Sequence, residues 1–168
     1  MIDLDKFNNK KELDECLDLI KIDTLREFVK DIIINCYNKT KLNNAIKVTK
    51  YTIFLLENDG MINNCSYVQS NAVIVAGALL HNVAYDYGKQ SFKNLFNSRD
   101  IINKYAGEEN EFPYDIKLML YQLIECQLGK SHPVKQLIPT TGNPAYYVAL
   151  ACSLYYKKDL GREIEEQW

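Results

Sequence analysis

Nine consecutive residues, Ala72 through Leu80, carry no charged or amide side chain. A run that is apolar nearly all round is buried on every side, which makes it the natural centre of whatever this chain folds into. Val73-Ile74-Val75 taken alone would suit a β-strand, but the apolar stretch continues through Ala76, Gly77 and Ala78 at helical length, so a central helix within about 66–85 is expected. It is far short of the ~20 residues a membrane-spanning helix needs. Elsewhere the 3.6-residue period dominates. Leu25, Phe28, Val29, Ile32, Ile33 and Cys36 predict a helix over 24–36, with Thr24 and Glu27 as a capping box. Leu13, Leu17 and Ile20 predict an earlier one over about 10–21. Val48, Tyr51, Thr52, Leu55 and Leu56 form one side of a helix over about 43–58, ended by Asn58-Asp59-Gly60.

After Asp86-Tyr87-Gly88, a less regular helix over about 91–105 carries Phe92, Leu95, Phe96, Ile101 and Ile102. Pro113 opens a helix through about 128 with Ile116, Met119, Leu120, Leu123 and Ile124 inward, and Asn143 caps a last helix to about Lys158. The fold class expected is all-α: one compact bundle of six to seven helices spanning 1–168, with its core at about 20–160 and a short acidic tail over 161–168. A length of 168 residues suits one domain, and 20 Lys+Arg against 22 Asp+Glu leave a net charge of -2. That balance gives no electrostatic footprint for duplex nucleic acid or an anionic membrane. Five cysteines (Cys16, Cys36, Cys65, Cys126, Cys152) are an odd number with no CxxC pair, the pattern of reduced, mostly buried thiols in a cytoplasm. Neither GxxxxGK[ST] nor GxGxxG occurs, so no phosphate-binding loop is expected.

The informative residues are polar groups on stripes that must face the core. Asn44 lies four before Val48; His81 shares a face with Ile74, Gly77 and Ala78, with Asn82 beside it; Gln127 continues the row Ile116, Leu120, Leu123; Cys152 continues Ala145, Val148, Ala149. Taken singly, each is as well explained by a helix end or a satisfied core group. Four helices each presenting one imply a shared polar pocket, because a buried unpaired amide costs ~1–3 kcal/mol.

At these residues the chain resembles the HD-domain phosphohydrolase superfamily, and within it the short proteins of low-GC Gram-positive bacteria and their phages. Ala76-Gly77-Ala78-Leu79-Leu80-His81-Asn82 resembles the family's AALLHD segment, and Asn44 through Tyr51 resembles the helix that begins with its first His. Leu123 through Gly129 is similar to a later helix end bearing another His; Ile138-Pro139-Thr140 with Val148 through Cys152 is similar to the final helix with its last Asp. The resemblance covers about 20–160 and implies an all-α fold that binds a divalent metal and hydrolyses phosphate esters. The departures are specific: Asn44 stands for the first His, Asn82 for the Asp after His81, Gln127 for the later His and Cys152 for the last Asp, and the region before Asn44 is shorter.

Asn and Gln keep size and hydrogen bonding while discarding charge, which lets a former metal cage close as a neutral network. The expectation is therefore an inactive HD-like pseudoenzyme with no catalytic residues, no metal and no cofactor. Its vestigial pocket would hold Asn44, His81, Asn82, Gln127 and Cys152, with Lys130, Lys157 and Lys158 near enough to meet a phosphate. It would act in the cytoplasm, in a phage or mobile-element setting, on a nucleotide-like ligand or a protein partner. A surviving phosphohydrolase is the alternative. Self-association is a third expectation, since twelve tyrosines include Tyr146-Tyr147 and Tyr155-Tyr156 on the last helix.

Overall fold

The computed structural model of the chain describes residues 2–60, 68–84, 92–107, 112–125 and 144–156, without the side chains of 68–70 and 92–96. Seven α-helices follow a short 3-10 turn at Leu4–Lys6: α1 Lys10–Asp18, α2 Asp23–Cys36, α3 Lys39–Asn58, α4 Val68–Leu80, α5 Phe92–Ala106, α6 Tyr114–Glu125 and α7 Pro144–Tyr156. Among the described residues there is no strand. The fold is an all-α bundle, as the periodicity predicts, with seven helices among the described residues. No helix, among the described residues, is long and apolar enough to cross a membrane.

α4 is the axis of the bundle. Residues 71 to 80 are all buried, apart from Gly77 lacking any side chain to expose, and α1, α2, α3, α6 and α7 all pack against this helix. Its amphipathicity is lost because neighbours surround it, so no polar face remains to be paid for in water. α3 lies along both α4 and α7, and α6 along α4. Gly77 permits the last approach: a Cβ built on it would stand 2.7 Å from both Cβ and Cδ1 of Leu123 on α6.

Helix starts differ from those the sequence predicts. α2 begins at Asp23 with Ile22 in the cap position and no side-chain cap, so Thr24 lies inside the helix and the Thr24–Glu27 box does not form. Glu27 instead pairs with Lys30 at 2.8 Å. α3 starts four residues earlier than expected, because the Asn38 side chain accepts the Lys41 amide at 2.8 Å and caps it. It stops where expected, with Gly60 at φ 68° just beyond Asp59. Val48, Thr52 and Leu56 are buried, and both buried threonines of α3 satisfy their hydroxyls on their own helix, Thr49 on Ala45 O and Thr52 on Val48 O. Tyr51 departs from its predicted inward place and is exposed. α1 ends at Asp18, yet Ile20 beyond it is fully buried. Cys16 and Cys152 are buried and Cys36 half-buried, none in a disulfide. Asp86-Tyr87-Gly88, the Asn143 cap, Cys65, Cys126 and the acidic tail lie outside the described residues.

One buried charge was not anticipated. Glu125, in the last turn of α6, is 3% exposed and takes a two-pronged bond from Arg99 of α5, through Nε and through Nη2 at 2.9 Å. The guanidinium also stands 5.2 Å from the Tyr121 ring centre. A carboxylate this deeply buried needs such a partner, because an uncompensated buried charge is costly. Arg99→Met removes this two-pronged bond from a buried carboxylate. Because Arg99 is itself partly solvated, the expected loss is about 2 kcal/mol, below the 3–5 kcal/mol typical of fully buried pairs, and urea denaturation at neutral pH measures it.

Candidate functional site

Among the described residues, Asn44 and His81 are linked through two tyrosines of α7, and Asn82 joins the end of α4 to the start of α3. α3 contributes Asn44, the end of α4 contributes His81 and Asn82, and α7 contributes Cys152 with two tyrosines one turn further on. Asn44 is half-buried, and its Oδ1 accepts the Tyr155 hydroxyl at 3.0 Å. His81 is fully buried and its two ring nitrogens are 2.8 Å from Ala78 O and 2.9 Å from the Tyr156 hydroxyl.

The tautomer follows from these partners. A carbonyl oxygen only accepts, so Nδ1 carries the hydrogen and donates it to Ala78 O; Nε2 is then the bare lone pair, and Tyr156 donates to it. Burial pushes the His81 pKa down to about 4, with the Ala78 bond opposing that only in part, so the ring is neutral at pH 7. Tyr155 and Tyr156 meet edge to face, ring centres 4.8 Å apart, which joins the Asn44 and His81 branches through one pair of aromatic side chains.

Asn82 completes the join between α4 and α3. Its Nδ2 donates to Lys41 O at 3.1 Å, and the Lys41 ammonium returns to Val83 O at 3.3 Å. Tyr37, just after α2, donates to Leu79 O at 2.7 Å. Tyr37, from just after α2, and Lys41, from the start of α3, thus both donate to carbonyls at or just beyond the end of α4. Asn82 Oδ1 is buried and has no partner. Since an orphaned acceptor costs ~1–3 kcal/mol, it is the polar atom of this cluster with unused bonding capacity.

Cys152 is buried one turn before Tyr156, and burial pushes its thiol pKa well up, so it is a neutral thiol rather than a thiolate nucleophile. Gln127, Lys130, Lys157 and Lys158 lie outside the described residues. Tyr155, Tyr156 and Tyr37 are the functional neighbours that residue patterning missed. Tyrosine at a helix end reads as an interface aromatic, and nothing in spacing marks its hydroxyl as aimed inward.

The resemblance implies a divalent metal here, and the donors present do not fit one. A hard cation takes anionic oxygens or bare imidazole nitrogens. This cluster offers a carboxamide oxygen already accepting a hydroxyl, an imidazole lone pair already capped, a second carboxamide and a protonated thiol. Among the described residues, no three His, Cys, Asp or Glu side chains come together to hold a metal ion. No family model matches the chain, and neither a curated protein nor a solved structure is significantly similar to it.

Proposed function

We propose that the chain is a catalytically inactive HD-like protein that acts by binding, and that its partner is a protein engaged at the surface rather than a nucleotide held between the helices. The observation that carries this is the Tyr156 hydroxyl 2.9 Å from Nε2 of the fully buried His81. A ligand reaching that nitrogen has to displace a hydroxyl bond and two packed aromatic rings. Asn44 and Cys152 offer it no charge in return, so the vestigial pocket supports architecture more readily than recognition. Cytoplasmic residence and a phage or mobile-element origin belong to the same reading and rest on the cysteine pattern and the resemblance.

Self-association through the last helix finds less support than the tyrosine count suggests. Tyr147 donates to Asp59 at 2.7 Å, and Tyr155 and Tyr156 serve the internal network. The experiment that tests the proposal pairs elemental analysis of the purified protein with phosphoester and nucleotide hydrolysis assays in added Mn²⁺, alongside nucleotide thermal-shift titrations. The expected result is no bound metal at stoichiometry, no turnover and a Tm that nucleotides leave unchanged. Stoichiometric metal with turnover that disappears in His81→Ala would overturn it in favour of a surviving phosphohydrolase. A nucleotide-dependent rise in Tm that Tyr156→Ala alters would overturn the choice of partner.

A further inference from the structure

A second feature lies on α2 and α5 and does not depend on the state of the His81 network. Between α2 and the end of α5 there is a cleft of about 390 Å³. Its floor is aromatic: Phe28 and Phe112 stack with ring centres 4.6 Å apart at 28°, both nearly buried, with Tyr105 beside them. Its rim is acidic. Asp23, Glu27 and Asp31 line it and are all exposed. Spaced by four, they stand on one face of α2 at intervals of about 6 Å, a row roughly 12 Å long.

Their local partners hold them weakly. Asp23 pairs with Arg26 and Glu27 with Lys30, both i,i+3 pairs at the surface, of a kind worth about 1 kcal/mol or less. Asp31 has no ion pair among the described residues. An apolar floor under a carboxylate row is complementary to a side chain with a long apolar stem and a cationic head. Arginine fits best, since its guanidinium stacks on aromatic faces and grips carboxylates with two parallel bonds.

We propose that this cleft docks an extended, arginine-bearing segment of a protein partner. Alternate side chains of a strand recur every ~6.6–6.8 Å, close to the one-turn spacing of the carboxylates. A whole helix, ~10–12 Å across, is too wide for a cleft of this volume, which admits one or two side chains. The same carboxylates repel nucleic acid and anionic lipid. A free polyamine shares the cationic chemistry without the guanidinium plane, so the test separates it from a peptide.

The probe is a fluorescein-labelled peptide of four Arg-Ala repeats, titrated by anisotropy at physiological ionic strength. The expected result is saturable binding to the wild-type protein that weakens about tenfold or more in Glu27→Gln/Asp31→Asn, whose exposed substitutions leave the fold intact. A matched variant on α1, Asp14→Asn/Asp18→Asn, keeps binding within about twofold of wild type, and spermine competes poorly. Absence of saturable binding overturns the proposal. Equal weakening by the α1 variant reduces the interaction to general charge and also overturns it, and spermine competing as well as the peptide reassigns the cleft to polyamines.

Discussion

Gly77→Val is expected to lose about 3 kcal/mol of stability, the upper end of what overpacking a core costs. The reason is the 2.7 Å separation between a Cβ at this position and Leu123 Cβ. That atom sits at the root of its side chain and cannot swing away as a terminal methyl would, so α4 and α6 must move apart. Separation at this crossing disturbs α7 too, which packs on both helices. Gly77→Ala meets the same clash with fewer atoms and recovers ~1 kcal/mol of helix propensity, so its loss is smaller. Gly60→Ala provides the contrast, since its Cβ meets nothing and its cost of ~1–2 kcal/mol comes from the left-handed backbone at φ 68° alone. Urea midpoints on Gly77→Val, Leu123→Ala and the double variant decide the mechanism. Leu123→Ala alone costs ~2–5 kcal/mol as a cavity. If the steric account holds, the double variant, which keeps the Leu123 Cβ but removes its Cγ and the Cδ1 that stands 2.7 Å from the new Cβ, is more stable than the sum of the singles predicts by about 1 kcal/mol. Strict additivity would show that the Leu123 side chain beyond Cβ has no part in the cost of filling this position.

The helices were legible in the sequence because most are amphipathic and the one that is not, α4, is apolar on all sides at helical length. Their beginnings were less legible, for two different reasons. At α2 a Thr and a Glu have the spacing of a capping box, but the preceding Asp23 already adopts helical geometry and Glu27 is drawn to Lys30. At α3 the inward row continues back from Val48 through Ala45 to Leu42, while Asn43 and Asn44 interrupt it visibly, so the cap at Asn38 goes unseen. Tyr51 sits at helical spacing from Val48 and yet faces out, packed obliquely on Tyr155 with ring centres 6.3 Å apart.

The site shows the same division. Asn44, His81 and Asn82 betray themselves as polar residues where an apolar row demands otherwise. Their partners leave no such mark: Ala78 O and Lys41 O are backbone acceptors, invisible to residue type, and Tyr155 and Tyr156 count as aromatics whichever way the hydroxyl points. The Arg99–Glu125 pair joins residues 26 apart on separate helices, and nothing in the local pattern of either helix points to it. The α2 row of Asp23, Glu27 and Asp31 was readable at i,i+4 spacing, but the aromatic floor that gives it meaning comes from Phe112, distant in sequence.

Acidification is expected to destabilise the protein through His81 well before the carboxylates take part. The folded-state value near 4 lies below the ~6.5 of an unfolded chain, so between those pH values the unfolded state binds a proton that the native state refuses. Stability is therefore complete above about pH 6.5 and declines as pH falls towards 4, below which this group contributes no further slope. The difference of about 2.5 pKa units corresponds to about 3 kcal/mol, a large share of the ~5–15 kcal/mol of a typical domain. The cause is burial: the imidazole is fully buried, and the protonated ring would lose the hydration of its charge while the Ala78 bond compensates only in part. Asp5 and Glu27, whose pKa values are lowered by bonds to Lys10 and Lys30, also lose stabilisation on acidification, but only as pH falls through the carboxylate range. His81→Gln isolates the histidine from them. The variant is less stable than wild type at pH 7, and its loss between pH 7 and pH 4.5 is smaller than that of wild type by about 2 kcal/mol or more in urea titrations. Parallel pH profiles for the two proteins would mean that the imidazole titrates freely in the folded state, and the closed, neutral network built around Tyr156 would have to be abandoned.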